Sequence, residues 1–304
     1  MAAMSLTESE IRSQPDVWDR ALARVDAVRQ VLGPRGERVL VTGCGTSAFM
    51  AASLAALREA AGLGETDWAY ASEAPAGRRY DRVVALTRSG TTTEVLDVLS
   101  TTARAHPGTR RGVVTAVVGS PVEDYADDVV RLDLADEASV VQTRFPTTLV
   151  LLARAACGED VAGLPAACAA ALDRPLPFDV ADVDHHVYLG RGWTTGLAHE
   201  AALKIREAAQ AWSESYPALD YRHGPLAVAG PRSAVWFLDR PPSGLVDDVE
   251  ATGARVVVLA DDPLVRLVTA QRVAVALAEH RGLDPDHPRH LTRSVVLARN
   301  GATP

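Results

Sequence analysis

The stretch LTRSGTTTEVL, Leu86–Leu96, sets Ser89, Gly90, Thr91, Thr92 and Thr93 between an apolar run and Glu94. A plain turn needs one or two Gly, Asn or Asp residues, not a serine and three threonines around a glycine. Such a loop between a strand and a helix N-terminus suits an anion, because unpaired N–H groups and the helix dipole point there. The plainer alternative is an N-cap with extra threonines. A second loop, GCGTSA (Gly43–Ala48), also follows a strand and formally fits the dinucleotide pattern G-x-G-x-x-[GA]. Only Glu73 is available as its late acidic residue, and no Gly-Lys-[Ser/Thr] exists for a nucleotide P-loop. The two loops together favour a compact phosphate, to which Arg88 could add a charge-assisted contact.

A different chemistry is written into HEAALKIREAAQAW, His199–Trp212, read as a helix. Glu200, Lys204, Glu207 and Ala211 fall on one helical face. Of the 31 basic residues, 30 are Arg, and Lys204 is the only lysine. Arg is a fixed planar cation, whereas Lys is a compact point charge with a tunable pKa. A solvated Glu–Lys–Glu ladder is the plain reading. The alanine-rich flank and the preceding GRG argue instead for close packing, where a carboxylate can rise toward general-base range. In YRHGPLAV, Tyr221–Val228, a Gly-Pro turn pins His223.

The elements that must carry these residues alternate. A capping box at Thr7–Glu10 opens an N-terminal helix bearing Val17, Ala21 and Val25 at helical spacing. Strands are expected at Arg38–Val41, Trp68–Ser72, Arg82–Leu86, Gly112–Val118 and Val129–Leu134. Helices are expected at Ala48–Ala61, Glu94–Ala105 and Phe145–Cys157. That order implies a parallel sheet covered on both faces. After a linker around Pro175 and Pro177 the pattern restarts. VLVTGCGTSAFMAASLAALREA and VYLGRGWTTGLAHEAALKIREA share strand, G-x-G, threonine and an Ala-Ala-Leu helix, with glycine pairs 147 residues apart. An internal duplication is the economical explanation. Further strands are expected at Ala234–Leu238, Val256–Leu259 and Val295–Leu297. The expected units are a helical arm over 1–35 and α/β domains over 36–173 and 181–304. Each domain is a doubly wound, mainly parallel sheet flanked by helices.

Composition narrows the class. A net charge of −8 argues against nucleic-acid binding, which depends on neutralising phosphates. The apolar runs fall short of a membrane span, and the first 20 residues lack a basic, then apolar, leader. Cys44, Cys157 and Cys168 have neither disulfide-framework nor zinc spacing. A cytoplasmic protein without metal or cofactor is expected.

GCGTS, SGTTTE, EAALKIRE…RHGPLAV and the terminal HPRHLTRSVVL, in this order, resemble the sugar isomerase (SIS) family. The likeness is greatest to the isomerase domain of glucosamine-6-phosphate synthase and to stand-alone phosphosugar isomerases and amino-sugar deaminases. EIRSQP, Glu10–Pro15, is similar to the segment preceding that domain. The resemblance implies two tandem SIS domains and a homodimer with shared active sites. It implies phosphate-binding loops at Cys44, Gly45, Thr46, Ser47, Thr87, Arg88, Ser89 and Thr92, and a sugar-lining segment at Glu137 and Val140. It assigns C1–C2 proton transfer to Glu207, ring opening to His223 (often supplied by the neighbouring subunit) and a nearby charge to Lys204. Two departures stand out: Arg88 replaces a glutamine, and Arg293 replaces a lysine that can form an imine. A guanidinium stays protonated, so Arg293 is limited to holding an oxyanion or hydroxyl. With no glutaminase-sized segment before Glu10, amidotransfer is not expected. The implied substrate is a hexose or hexosamine 6-phosphate of the glucosamine or N-acetylglucosamine class, isomerised or deaminated after C2 deprotonation. Dehydration by a lyase route, or a non-catalytic phosphosugar sensor, are the alternatives.

Overall fold

The structure, a computed structural model, describes residues 4–297. The N-terminal stretch is three short helices, α1 (Leu6–Arg12), α2 (Gln14–Ala21) and α3 (Val25–Leu32). The expected single helix breaks at Ser13, just before Pro15 at the head of α2. The operative N-cap is Ser5, whose Oγ accepts from Glu8 N at 3.1 Å, so the cap lies two residues earlier than expected. The Glu8 carboxylate pairs with Arg12 instead of closing a capping box. Thr7 N instead donates to Asp286 near the other end of the chain. This stretch is no loose arm. Ile11, Trp18 and Val28 are fully buried, and Trp18 Nε1 donates to Thr147 Oγ1.

The first sheet contains β1 (Val39–Gly43), β2 (Thr66–Tyr70), β3 (Arg82–Thr87), β4 (Arg110–Thr115) and β5 (Asp128–Arg131). All pairings are parallel, in the order β2-β1-β3-β4-β5. β1 and β3 are buried at every position, as a central parallel strand covered on both faces requires. Between the strands run α4 (Thr46–Ala60) and α5 (Thr93–Ala105), followed by α6 (Arg144–Ala156) and α7 (Leu164–Leu172). The second sheet has β6 (His185–Gly190), β7 (Trp212–Pro217), β8 (Ser233–Phe237) and β9 (Arg255–Val257), parallel in the order β7-β6-β8-β9. Its helices are α8 (Thr194–Ala209), α9 (Leu245–Glu250) and α10 (Pro263–His280). In each sheet the first strand lies between the second and third, so a switch point opens beside it, where α/β folds bind ligands.

Several expectations shift. Residues 116–118 leave the sheet after Thr115, Asp133–Ala135 is a 3-10 turn, and the strand at 256 ends at Val257. Trp212, read as helical, opens β7, because the chain turns at Gln210 in the left-handed region (φ 50°). Val295–Leu297 is not a strand: it is exposed and lies along the start of α5, with Thr93 N donating to Val295 O. α7 and α10 were not anticipated. One hydrophobic core runs from Trp18 through α6 and α8 to α10.

Candidate active site

Both hydroxyl-bearing loops leave the C-terminal ends of adjacent strands, β1 and β3, at the switch point of the first sheet. Gly45 takes φ 52°, a left-handed value that a side chain disfavours, and so turns the chain straight into α4. A Cβ on Gly43 would meet Ser47 Cβ at 2.7 Å and Leu86 O at 2.9 Å, so the first loop sits hard against β3. Thr46, Ser47, Thr87, Arg88 and Ser89 are all buried. A cavity of about 30 Å³ is lined by Cys44, Ser47, Thr87, Arg88, Ser89, Thr92 and Arg293 among others. The Cys44 thiol is pushed up to about 11 by burial and then by the Glu94 charge, so it is a neutral wall group.

Arg88 behaves differently from a free phosphate ligand. Its Nη1 donates to Ser139 O (2.9 Å), and its Nη2 donates to Val140 O (3.3 Å) and Arg293 O (3.1 Å). Nη1 also lies 3.8 Å from Glu137 Oε2. Burial holds the guanidinium below its usual range, opposed by Glu137. Only Nε is left without a partner, so Arg88 chiefly ties two segments, 137–140 and the chain at Arg293, to the loop.

Glu137 and Val140, expected to line the sugar site, do not line this cavity; Gln142 of the same segment does. Glu137 is spent on the N-terminus of α6. Its Oε1 accepts from Thr143 N, Thr143 Oγ1 and Arg144 N, and burial raises its pKa. Arg293 reaches the cavity, but its Nε donates to Glu137 O and its Nη2 pairs with Asp136. Ser294, which sequence reasoning missed, bonds both Ser89 Oγ (3.0 Å) and Thr91 Oγ1 (2.8 Å).

The Glu–Lys–Glu face of α8 is not a solvated ladder. Glu200 is 0% and Lys204 1% exposed. Lys204 Nζ lies 2.5 Å from Glu207 Oε2, 3.2 Å from Glu200 Oε1 and 3.3 Å from Thr46 Oγ1. Close packing of α4 on α8 makes this contact. A Cβ on Gly196 would overlap Phe49 O and Ser53 Oγ, and Ser53 Oγ donates to Trp193 O. Burial lowers the Lys204 pKa, but the Glu200 and Glu207 charges more than offset that, and it is raised overall. Glu200 is pushed up to about 7 by burial, against the pull of Lys204. Its place beside Lys204 is the second feature the sequence only hinted at, through the i, i+4 spacing.

His223 stands apart. It ends the 3-10 turn Asp220–His223, exposed, and does not line the cavity. Buried Tyr221 and the Arg222–Asp248 pair anchor that turn and leave the imidazole outward. Among the described residues, no group of three or more His, Cys, Asp or Glu gathers to hold a metal, and no helix is long and apolar enough to cross a membrane.

No protein-family model matches the chain. Over 337 residues it is 28% identical to glutamine–fructose-6-phosphate aminotransferase (isomerizing) of Methanothermobacter thermautotrophicus, covering 95% of this chain and 56% of that protein. Over 327 residues it is 27% identical to the same enzyme of Thermus thermophilus, covering 88% and 53%. The chain thus spans about half the length of the curated relatives it matches. Glucosamine-6-phosphate deaminase from Thermotoga maritima superposes with a TM-score of 0.83 at 25% identity, over 96% of this chain and all of that one. The chain resembles the SIS family in both sequence and fold. Tagatose-6-phosphate ketose/aldose isomerase from Escherichia coli shares the SIS fold alone, with a TM-score of 0.76 at 20% identity over 99% of each chain. As an SIS-like chain it has an α/β fold of parallel sheets flanked by helices, with its two loops at the strand ends.

Proposed function

We propose that the chain is an enzyme acting on a hexose or hexosamine 6-phosphate, by C2 proton abstraction of the isomerase or deaminase type. The observation that carries this reading is the buried Glu200–Lys204–Glu207 face, bonded through Lys204 to Thr46 of a hydroxyl-rich loop. A compact phosphate is assigned to the cavity between the loops, with Ser47, Thr87, Ser89 and Thr92 as donors. Glu207, less buried than its two partners, is the base at C2. Lys204 neutralises the carboxylates and steadies the enediol-type anion, while Glu200 positions Lys204. Arg293, held by Glu137 and Asp136, is assigned to the phosphate end of the site.

Two further assignments accompany this reading. The repeated strand order supports two tandem SIS units, over 36–173 and 181–304, behind a helical segment over 1–35. The outward His223 supports a homodimer in which each subunit lends its histidine to the neighbouring site for ring opening. Mixing Glu207→Gln and His223→Ala subunits would then restore part of the activity that neither has alone.

The deciding experiment incubates the protein with fructose, glucosamine and N-acetylglucosamine 6-phosphates and weighs the products. Unchanged mass with a moved carbonyl marks isomerisation. Replacement of the amine by oxygen, with uptake of water and release of ammonia, marks deamination, and loss of water alone marks the dehydratase. No turnover with saturable phosphosugar binding would leave a sensor.

A further inference from the structure

Outside this site, a cavity of about 310 Å³ lies under the connector between β2 and β3. Its floor is Leu40, Ala71 and Val83, which belong to a small separate core with Val95 and Leu99. One wall is α5, which presents Glu94, Asp97, Val98 and Thr101 at i, i+3, i+4 and i+7. The connector closes the other side, tied to the end of α5 by a 3.4 Å contact between the His106 ring and Ala76 O. The volume reaches the lower end of small-molecule sites, which are mostly apolar with a few placed polar groups.

Charge then selects the ligand. Arg78 Nη1 (3.1 Å) and Tyr80 OH (2.7 Å) both turn to Asp67, so the basic group at the rim is already paired. Thr102 and Thr109 hydroxyls are spent on backbone carbonyls. Glu94 Oε2 is buried without a hydrogen-bond partner among the described residues, and Asp97 adds a second carboxylate on the same wall. An apolar chamber walled by one unpartnered, buried carboxylate oxygen, with a second and exposed carboxylate on the same wall, is complementary to an amphiphilic cation.

We propose that this cavity is a second ligand site, for a small molecule with an apolar body and one protonated amine, seated against Glu94. Its position gives occupancy a route to the hydroxyl-rich loop. Glu94 stands in the first turn of α5, two residues after Thr92, and Cys44 of the opposite loop packs against the same small core. That the loop holds phosphate rests on the function proposed above; the site and its contact with the loop do not.

The test titrates phenethylamine into the full chain by calorimetry, with 3-phenylpropionate as an acid of the same shape. Saturable binding of the amine is expected, with the acid at least about tenfold weaker. Thr101→Arg, an exposed change that puts bulk and a cation at the mouth, should weaken amine binding about tenfold or more, as should Glu94→Gln. Absence of saturable amine binding, equal binding of amine and acid, or binding untouched by both variants would overturn the site. Hydrogen exchange over residues 87–93 reads the contact with the loop, and bound phenethylamine should slow it by about threefold. Unchanged exchange at saturation would overturn that contact. Failure of the phosphosugar assays would fall on the proposed function and leave both readouts standing.

Discussion

Lys204 Nζ stands 3.3 Å from Thr46 Oγ1, so the only lysine of the chain joins the helix after β6 to the loop after β1. The two residues lie 158 positions apart, on helices that follow strands of different sheets. A single ammonium thus links the proposed phosphate loop to the proposed proton-transfer carboxylate.

Glu207→Gln keeps the shape of the base but cannot accept a proton. Turnover of the phosphosugar identified by mass should fall by roughly 10²–10⁴ while its dissociation constant changes little. Steady-state kinetics and equilibrium binding on the same preparation check both halves. Normal turnover would remove Glu207 from the chemistry.

Lys204→Met removes the cation and leaves Glu200 buried without its counter-charge. Breaking a buried pair in this way costs roughly 3–5 kcal/mol. Urea unfolding should show that loss, and a double variant Lys204→Met/Glu200→Gln should recover part of it.

Ser89→Ala and Thr92→Val delete hydroxyls from the cavity wall while leaving the sheet intact. Each hydrogen bond to a charged phosphate is worth about 1.5–3 kcal/mol, so each variant should bind the phosphosugar more weakly by that amount. Calorimetry against wild type measures it, and unchanged affinity would move the phosphate elsewhere.

Gly196→Ala places a Cβ on Phe49 O and Ser53 Oγ, where α8 crosses α4. Overpacking of this kind costs roughly 1–3 kcal/mol. A lowered thermal midpoint together with reduced turnover is expected, because the same crossing brings Lys204 to Thr46. Unchanged stability would show that the helices separate freely.

His186 supplies a pH dependence with a definite sign. Burial in the second sheet lowers its pKa from 6.5 to about 4. Between those values the unfolded chain binds more protons, so this residue's contribution to stability is present above pH 6.5 and lost as pH falls through about 4. The full shift is worth about 3 kcal/mol. His186→Phe should lose least, relative to wild type, at the acid end of urea melts between pH 4 and 7; an opposite slope would refute the assignment.

The loops and central strands were legible because their signals are local. Hydroxyls around Gly90, the turn at Gly45 and the apolar runs of β1 and β3 each specify a conformation within a few residues. The repeated order of strand, glycines and helix was legible for the same reason, and both sheets place their first strand between the second and third. Where an element stops depends on a distant partner. No Gly or Pro marks the end of α8, yet Gln210 turns left-handed and Trp212, 84% exposed, begins an edge strand. Val295–Leu297 has strand-forming residues, but it lies along α5 instead of entering a sheet.

The same division holds at the candidate site. The spacing of Glu200, Lys204 and Glu207 showed a shared helical face, but a solvated ladder has identical spacing. Burial decides between them, and it comes from α4 closing over Gly196. Arg88 was recognisable as a cation in a phosphate-type loop. That its Nη groups point to Ser139, Val140 and Arg293 follows from two remote segments meeting there. Residue types and local conformation come from neighbouring atoms in the chain. Burial, charge pairing and pKa come from which segments pack together, and that only the folded arrangement determines.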